Sequence, residues 1–225
     1  MEFVGKKELT ELVGNSEGNF FYVRPEDFPK FFDSFPEEIQ ETVYKIKESE
    51  TGAVLAQGEK NFIVIPPFPI EKTFKGDKNF LLELMGKKFN LGIILLRLGE
   101  YSIGVFEKEE LKAHKTGTQF VSGQTRAGGQ SAARYARIRE GQINDFFKAV
   151  CSQVREKFGP YKLDYVFFGG DSQTVKGFLK SCDYLKKFKV MKRTMNVRHM
   201  KLESLKNSLD EVWKFKVYEI LCDSK

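Results

Sequence analysis

Leu91-Gly92-Ile93-Ile94-Leu95-Leu96-Arg97-Leu98 is a near-continuous apolar run. A strand apolar on both faces has to be covered on both, so this run predicts the centre of a sheet. The stretches after it narrow the architecture. Gly99-Glu100 reads as a tight turn, and Tyr101 to Glu107 alternates as a hairpin partner. Leu111 to Thr118 reads as a third strand, with Leu111, Ala113, Lys115 and Gly117 on one face and Lys112, His114 and Thr116 on the other. Residues 119–130 hold three glycines and no helical pattern, and loops of this length are usually functional or disordered. From Gln130 to about Phe158, Ala132, Tyr135, Ala136, Ile143, Phe146, Val150, Val154 and Phe158 recur at helical spacing. They predict a long amphipathic helix, with Tyr135 on its buried face. Gly159-Pro160 ends that helix.

Beyond it, Asp164 to Phe168 reads as a buried strand and Gly169-Gly170-Asp171-Ser172 as a turn into a helix reaching about Cys182. Phe188 to Val197 reads as a basic strand, Leu202 to about Lys214 as a helix, and Val217 to Leu221 as strand or helix. Ahead of the central run, Phe20 to Val23 is a short strand. Ser34 and Glu37 form a capping box for a helix over residues 36–48. Ala53 to Gln57 and Asn61 to Ile65 read as a hairpin, Pro66-Pro67-Phe68-Pro69 as a rigid linker, and Asp77 to Lys88 as a helix. The expected fold class is α+β: a ribonuclease H-like mixed sheet with helices and a protruding glycine loop, preceded by a small α+β module. The expected division is residues 1–88 and residues 89–225.

The whole chain carries a net charge of +6, but two acid-free segments exceed that between them. Leu111 to Arg139 holds Lys112, Lys115, Arg126, Arg134, Arg137 and Arg139. Tyr184 to Leu202 holds Lys186, Lys187, Lys189, Lys192, Arg193, Arg198 and Lys201. The rest is therefore acidic, and the pattern is either two solvated faces or two contacts to nucleic acid. No apolar run is long enough to cross a membrane, and no membrane partner is expected. Cys151, Cys182 and Cys222 suit a reducing, cytoplasmic setting as buried small side chains. With two histidines and no CxxC, neither a metal nor another cofactor is expected.

Ribonuclease H-like nucleases need clustered acidic metal ligands. Here the central run has none, Glu100 sits in a turn and Asp164 opens a later strand. Gly169-Gly170-Asp171-Ser172 is either a phosphate-binding helix start or a plain turn capped by Asp171 or Ser172. That leaves Gly128-Gly129-Gln130. Adjacent glycines let backbone approach a ligand closely. The amides after them lie at a helix start, where they attract anions. An uncharged Gln is no general base, but it can position a water, and its N–H can stabilise an oxyanion. Gln124 is a second candidate amide without the adjacent helix start.

Arg126-Ala127-Gly128-Gly129-Gln130-Ser131-Ala132-Ala133-Arg134-Tyr135-Ala136-Arg137 closely resembles the GGQ segment of the eukaryotic and archaeal class-1 peptide release factors. The resemblance covers about residues 89–221. It implies an ester hydrolase acting on peptidyl-tRNA, with Gln130, Gly129 and Gly128 catalytic. It also implies RNA contacts from Arg126, Arg134, Arg137, Arg139, Lys112 and Lys115, with Lys186, Lys187, Lys189, Lys192, Arg193 and Arg198 as a second basic patch. Residues 1–88 carry no stop-codon motif of the N-I-K-S type. The layout is similar to that of the release-factor-like peptidyl-tRNA hydrolases of ribosome-associated quality control. These imply the large subunit and its rRNA as partners, possible quality-control helper proteins, and a cytoplasmic, ribosome-associated location. Two other readings remain open at this point: a nuclease cutting tRNA near its 3′ end, and a non-enzymatic ribosome- or RNA-binding module.

Overall fold

The computed structural model describes residues 1–27, 30, 44, 46, 49–58, 61–123 and 130–220. The helix expected over residues 36–48 lies outside the described residues. The chain separates into two units, Met1–Lys87 with Val212–Lys225, and Lys88–Glu211.

The second unit is built on the apolar run. It becomes β6 (Asn90–Arg97), which pairs antiparallel with β7 (Glu100–Glu107) and parallel with β9 (Tyr165–Gly170). β8 (Glu110–Thr118) extends the sheet from β7, and β10 (Val190–Met195) extends it from β9. The strand order is β10-β9-β6-β7-β8, an antiparallel meander joined to two parallel strands. This is the expected ribonuclease H-like mixed sheet. Both faces are covered, as an apolar central strand demands. On one face lie a long helix, here α3 (Gln130–Phe158), and α4 (Ser172–Ser181). Phe146, Val150, Val154 and Phe158 of α3 meet Ile94, Ile103, Val105, Val166 and Phe168 of the sheet. Each such side chain stabilises the fold by roughly 1.5–3 kcal/mol relative to exposure. Gly92 leaves room for the Phe158 ring, which a Cβ would meet at 2.7 Å. On the other face, α5 (Leu202–Val212) lays Leu205 against Gly104, and Ser102 Oγ donates to the Met200 carbonyl at 2.6 Å.

The turn after β9 is a capped helix start. Gly170 has φ +103°, and a Cβ there would run into the Leu96 carbonyl. Asp171 then caps α4, accepting from Thr174 N at 2.8 Å and Thr174 Oγ1 at 2.6 Å. These bonds hold its carboxyl below the usual aspartate value. Cys151 on α3 and Cys182 at the end of α4 are buried as expected, but they are joined as a disulfide across 31 residues. The expectation of free thiols is corrected for this pair; Cys222 lies outside the described residues.

The first unit is a six-stranded antiparallel sheet in the order β1-β11-β4-β3-β2-β5. Its strands are β1 (Glu2–Val4), β2 (Gly18–Val23), β3 (Ala53–Gly58), β4 (Asn61–Ile65), β5 (Phe74–Gly76) and β11 (Phe215–Ile220). Its described helices are α1 (Lys6–Gly14) and α2 (Lys78–Gly86). Tyr22 stacks on Phe74 at 4.7 Å, meets Phe80 edge-on at 4.8 Å, and donates to the Asp77 carbonyl at 2.6 Å. The expected second segment is corrected at its C-terminal end. Val217 pairs with Val64 of β4 and Glu2 of β1, so the last strand belongs to the first unit's sheet. The proline-rich stretch is no linker either: Pro66, Pro67 and Phe68 are buried, with Phe68 4.7 Å from the Trp213 ring.

Candidate active site

The strands fix a direction for the second unit. β8 ends at Thr118 opposite Glu100, and Gln119 N donates to the Gly99 carbonyl at 2.8 Å, so the chain leaves β8 at this end of the sheet. α3 begins at Gln130 and returns toward that edge, but its first turns have no sheet beneath them. Residues 133–138 are exposed, and the first fully buried side chain is Phe146. Gln130 to Gln142 measures about 18 Å along a helix. The upper part of α3 is therefore a mount that carries Gln130 away from the core. Gly128, Gly129, Gln124 and Arg126 lie outside the described residues.

The expected burial of Tyr135 is corrected: it is 53% exposed, and Ile138 is 45% exposed. Both continue the apolar face of α3, but the sheet that would cover them has ended. Phe120, on the stretch leaving β8, is 79% exposed. Three large apolar side chains thus stand in water close in sequence to the loop.

Arg134 and Arg137 are exposed on the mount and make no hydrogen bond or ion pair to a described residue. The first turn of α3 holds no acidic residue. Its amides and macrodipole add positive potential to that of the two guanidinium groups. Arg139 is only part exposed, because its Nε donates to the Ser122 carbonyl at 3.0 Å. Gln142 Oε1 accepts from Ser122 N at 2.9 Å, and Val121 packs against the core. Sequence reasoning gave Arg139 a contact role only and passed over Ser122 and Gln142.

Other candidate residues are not brought to this end. Lys112 lies toward the opposite end of β8 and is paired with Glu110, which holds the ammonium above its usual value. Lys115, midway, is exposed and within electrostatic reach of Glu156. The expected second patch is spread along β10. Lys186, Lys187 and Lys189 precede that strand, at the end remote from the loop. Lys186 pairs with Asp183 at 2.6 Å; Lys187 sits 3.7 Å from the Tyr184 ring centre and Lys189 5.0 Å from that of Tyr165. Arg193 is partly buried beneath α5, donating to the Glu211 carbonyl at 2.9 Å, and burial pushes its guanidinium below the usual value. Lys192 is exposed on the strand. Arg198 follows β10 at the loop end of the sheet and is exposed. The acidic residues are also apart. Asp164 closes the remote end, accepting from Asn90 N at 2.8 Å, whereas Glu100 opens β7 at the loop end.

This geometry can be set against known proteins. The family model described as the actinobacteria/chloroflexi VLRF1 release factor matches residues 90–218, more than half of the chain and the whole run from β6 into β11. The chain belongs to this family. The VLRF1 match includes the start of α3 with Gln130. Among curated proteins, the chain is 32% identical over 135 residues to peptide chain release factor subunit 1 of Thermococcus onnurineus, covering 56% of this chain and 32% of that protein. It is 31% identical over 155 residues to the Archaeoglobus fulgidus protein of the same name, covering 62% and 38%. The chain thus spans about a third of the length of these relatives. Among solved structures, an archaeal translation termination factor aligns with a TM-score of 0.46 at 21% identity, over 93% of this chain and 70% of that one.

Proposed function

We propose that this release-factor family member is a ribosome-dependent peptidyl-tRNA hydrolase that frees nascent chains from stalled ribosomes or large subunits without reading a stop codon. The observation that supports it best is the bare upper part of α3, a helical mount about 18 Å long with Gln130 at its start and no acidic residue before Glu140. In this reading Gly128 and Gly129 let the loop backbone approach the ester carbonyl. Gln130 orients the attacking water and offers its N–H to the oxyanion. Water adds to the carbonyl carbon, the tetrahedral intermediate collapses, and the ribose oxygen of the tRNA leaves with a proton, so the products are a peptide acid and a tRNA with an intact 3′ end. Arg134 and Arg137 bind RNA phosphates beside the helix start, and Tyr135 and Phe120 offer rings to unstacked bases. The unit holding residues 1–87 and β11 recognises the stalled particle, alone or with quality-control helper proteins.

The test is release of labelled peptide from stalled peptidyl-tRNA complexes, on isolated large subunits and on whole ribosomes. Removing one oxyanion donor or the groups that place it costs roughly 100–1000-fold. Gly129→Ala and Gln130→Ala should lose about that much. Wild-type rates in both would remove the catalytic assignment. A tRNA recovered without its 3′ end would make the protein a nuclease, and salt-sensitive binding without release would make it an RNA-binding module.

A further inference from the structure

Both hydrogen-bonding groups of the Ser122 backbone are taken by α3 side chains. Its N–H donates to Gln142 Oε1 at 2.9 Å, and its carbonyl accepts from Arg139 Nε at 3.0 Å. Arg139 and Gln142 are three residues apart, hence on one face of the helix. That face continues downward to Phe146, which is fully buried. We infer that Arg139 and Gln142 are positioning residues that clamp Ser122 and so fix how far the Gly128-Gly129-Gln130 loop reaches from the body. This rests on the hydrolase reading above.

Covalent length shows why the clamp matters. Ser122 to Gln130 is about eight residue steps, which span at most about 26–29 Å. The helix itself separates Gln142 from Gln130 by about 18 Å. A chain pinned at Ser122 must therefore spend about two-thirds of its greatest reach to meet the start of α3. Without the pin, the next backbone bond toward β8 is Gln119 N to the Gly99 carbonyl. That adds about three residues, or up to about 10 Å of slack. A loop that must deliver an amide to within hydrogen-bond distance of an ester loses rate steeply with misplacement, roughly 100-fold for 1 Å.

Gln142 separates positioning from RNA contact, because Gln142→Glu keeps the acceptor oxygen while adding a charge that RNA would repel. Two measurements are made on the full chain: peptide release from stalled complexes, and hydrogen exchange at the Ser122 amide. Gln142→Ala should slow release by about 10- to 100-fold at saturating protein and raise Ser122 exchange by about tenfold, the worth of one such bond. Gln142→Glu should restore both to within about threefold of wild type, on the same bond reasoning. Arg139→Ala should slow release as well, with a smaller change at the Ser122 amide, since it removes the bond to the carbonyl. If Gln142→Ala releases at the wild-type rate, or Gln142→Glu is as slow as Gln142→Ala, the positioning role is wrong. If wild-type protein protects Ser122 but releases nothing, the hydrolase reading fails and takes this role with it.

Discussion

The two acid-free segments look alike in sequence and fare differently in space. Leu111–Arg139 and Tyr184–Leu202 carry similar charge, yet only the first ends on a surface that leaves the body. Its Arg134 and Arg137 project from helical turns with no sheet below them. The second segment is folded into the body at several points. Cys182, just before it, is bonded to Cys151 of α3; Lys187 and Lys189 lie over aromatic rings; and Arg193 is drawn under α5. Acidic residues just outside each window, Glu110 and Asp183, neutralise Lys112 and Lys186. A linear run of charge therefore measures what is missing from the run, not what the fold later places beside it.

The comparison breaks or holds first on binding. Arg134→Glu with Arg137→Glu should weaken association with large subunits by roughly 100-fold and lower the salt slope by about two. Thermal stability should stay within about 0.5 kcal/mol of wild type, as for most surface changes. Replacing Lys186, Lys187 and Lys189 by Glu should cost less than about threefold in affinity, because these lie at the remote end of the sheet and already have partners. Equal losses from the two sets, read by sedimentation with large subunits over a salt series, would make the second segment an interface too.

The middle-sized test inverts the readout. Arg193→Ala should cost roughly 1.5–3 kcal/mol of stability, the range for a hydrogen bond from a charged group, and leave subunit affinity unchanged. Denaturant melts and the same sedimentation assay measure both. A normal melting curve with weakened binding would put Arg193 on the surface after all.

The sequence carried a signal for Arg193 that charge reasoning hid. Met191, Arg193 and Met195 alternate, and both methionines are buried, so the arginine shares the inward face of β10. Tyr135 failed in the opposite way. Its spacing matches the core face of α3, but a helical period shows only which face it occupies, not whether anything covers that turn. The central strand, the meander and the span of α3 were legible because each rests on local pattern: a two-faced apolar run, alternation, and a 3.6-residue period ended by Gly159-Pro160. The place of β11 was not, since antiparallel pairing of Val217 with Val64 and Glu2 depends on contacts far apart in sequence. Leu9 and Val13 of α1 do have helical spacing and are fully buried, a local signal that sequence reasoning passed over. In the candidate site, the residue types of the loop stand in the sequence itself, whereas the Ser122 hydrogen bonds were not legible there, because they join a backbone unit to side chains 17 and 20 residues away.

The smallest effect concerns α4, the helix that leads into the second segment and so helps root it in the body. Its cap, Asp171, accepts from the side chain and the backbone N–H of Thr174, and these bonds hold its carboxyl below the ordinary value. A group depressed in the folded state stabilises above its unfolded pKa, about 4 for aspartate, and loses that contribution as pH falls through the folded value. Asp171→Ala should therefore cost about 1 kcal/mol at pH 7, and its deficit against wild type should shrink as pH falls below about 4. Asp171→Asn, which keeps an acceptor oxygen but no titrating group, should recover part of the loss and remove the acid dependence from it. Paired urea melts at pH 7 and pH 3 decide the point. A deficit as large at pH 3 as at pH 7 would mean that Asp171 acts by shape alone, and that the root of the second segment owes nothing to its charge.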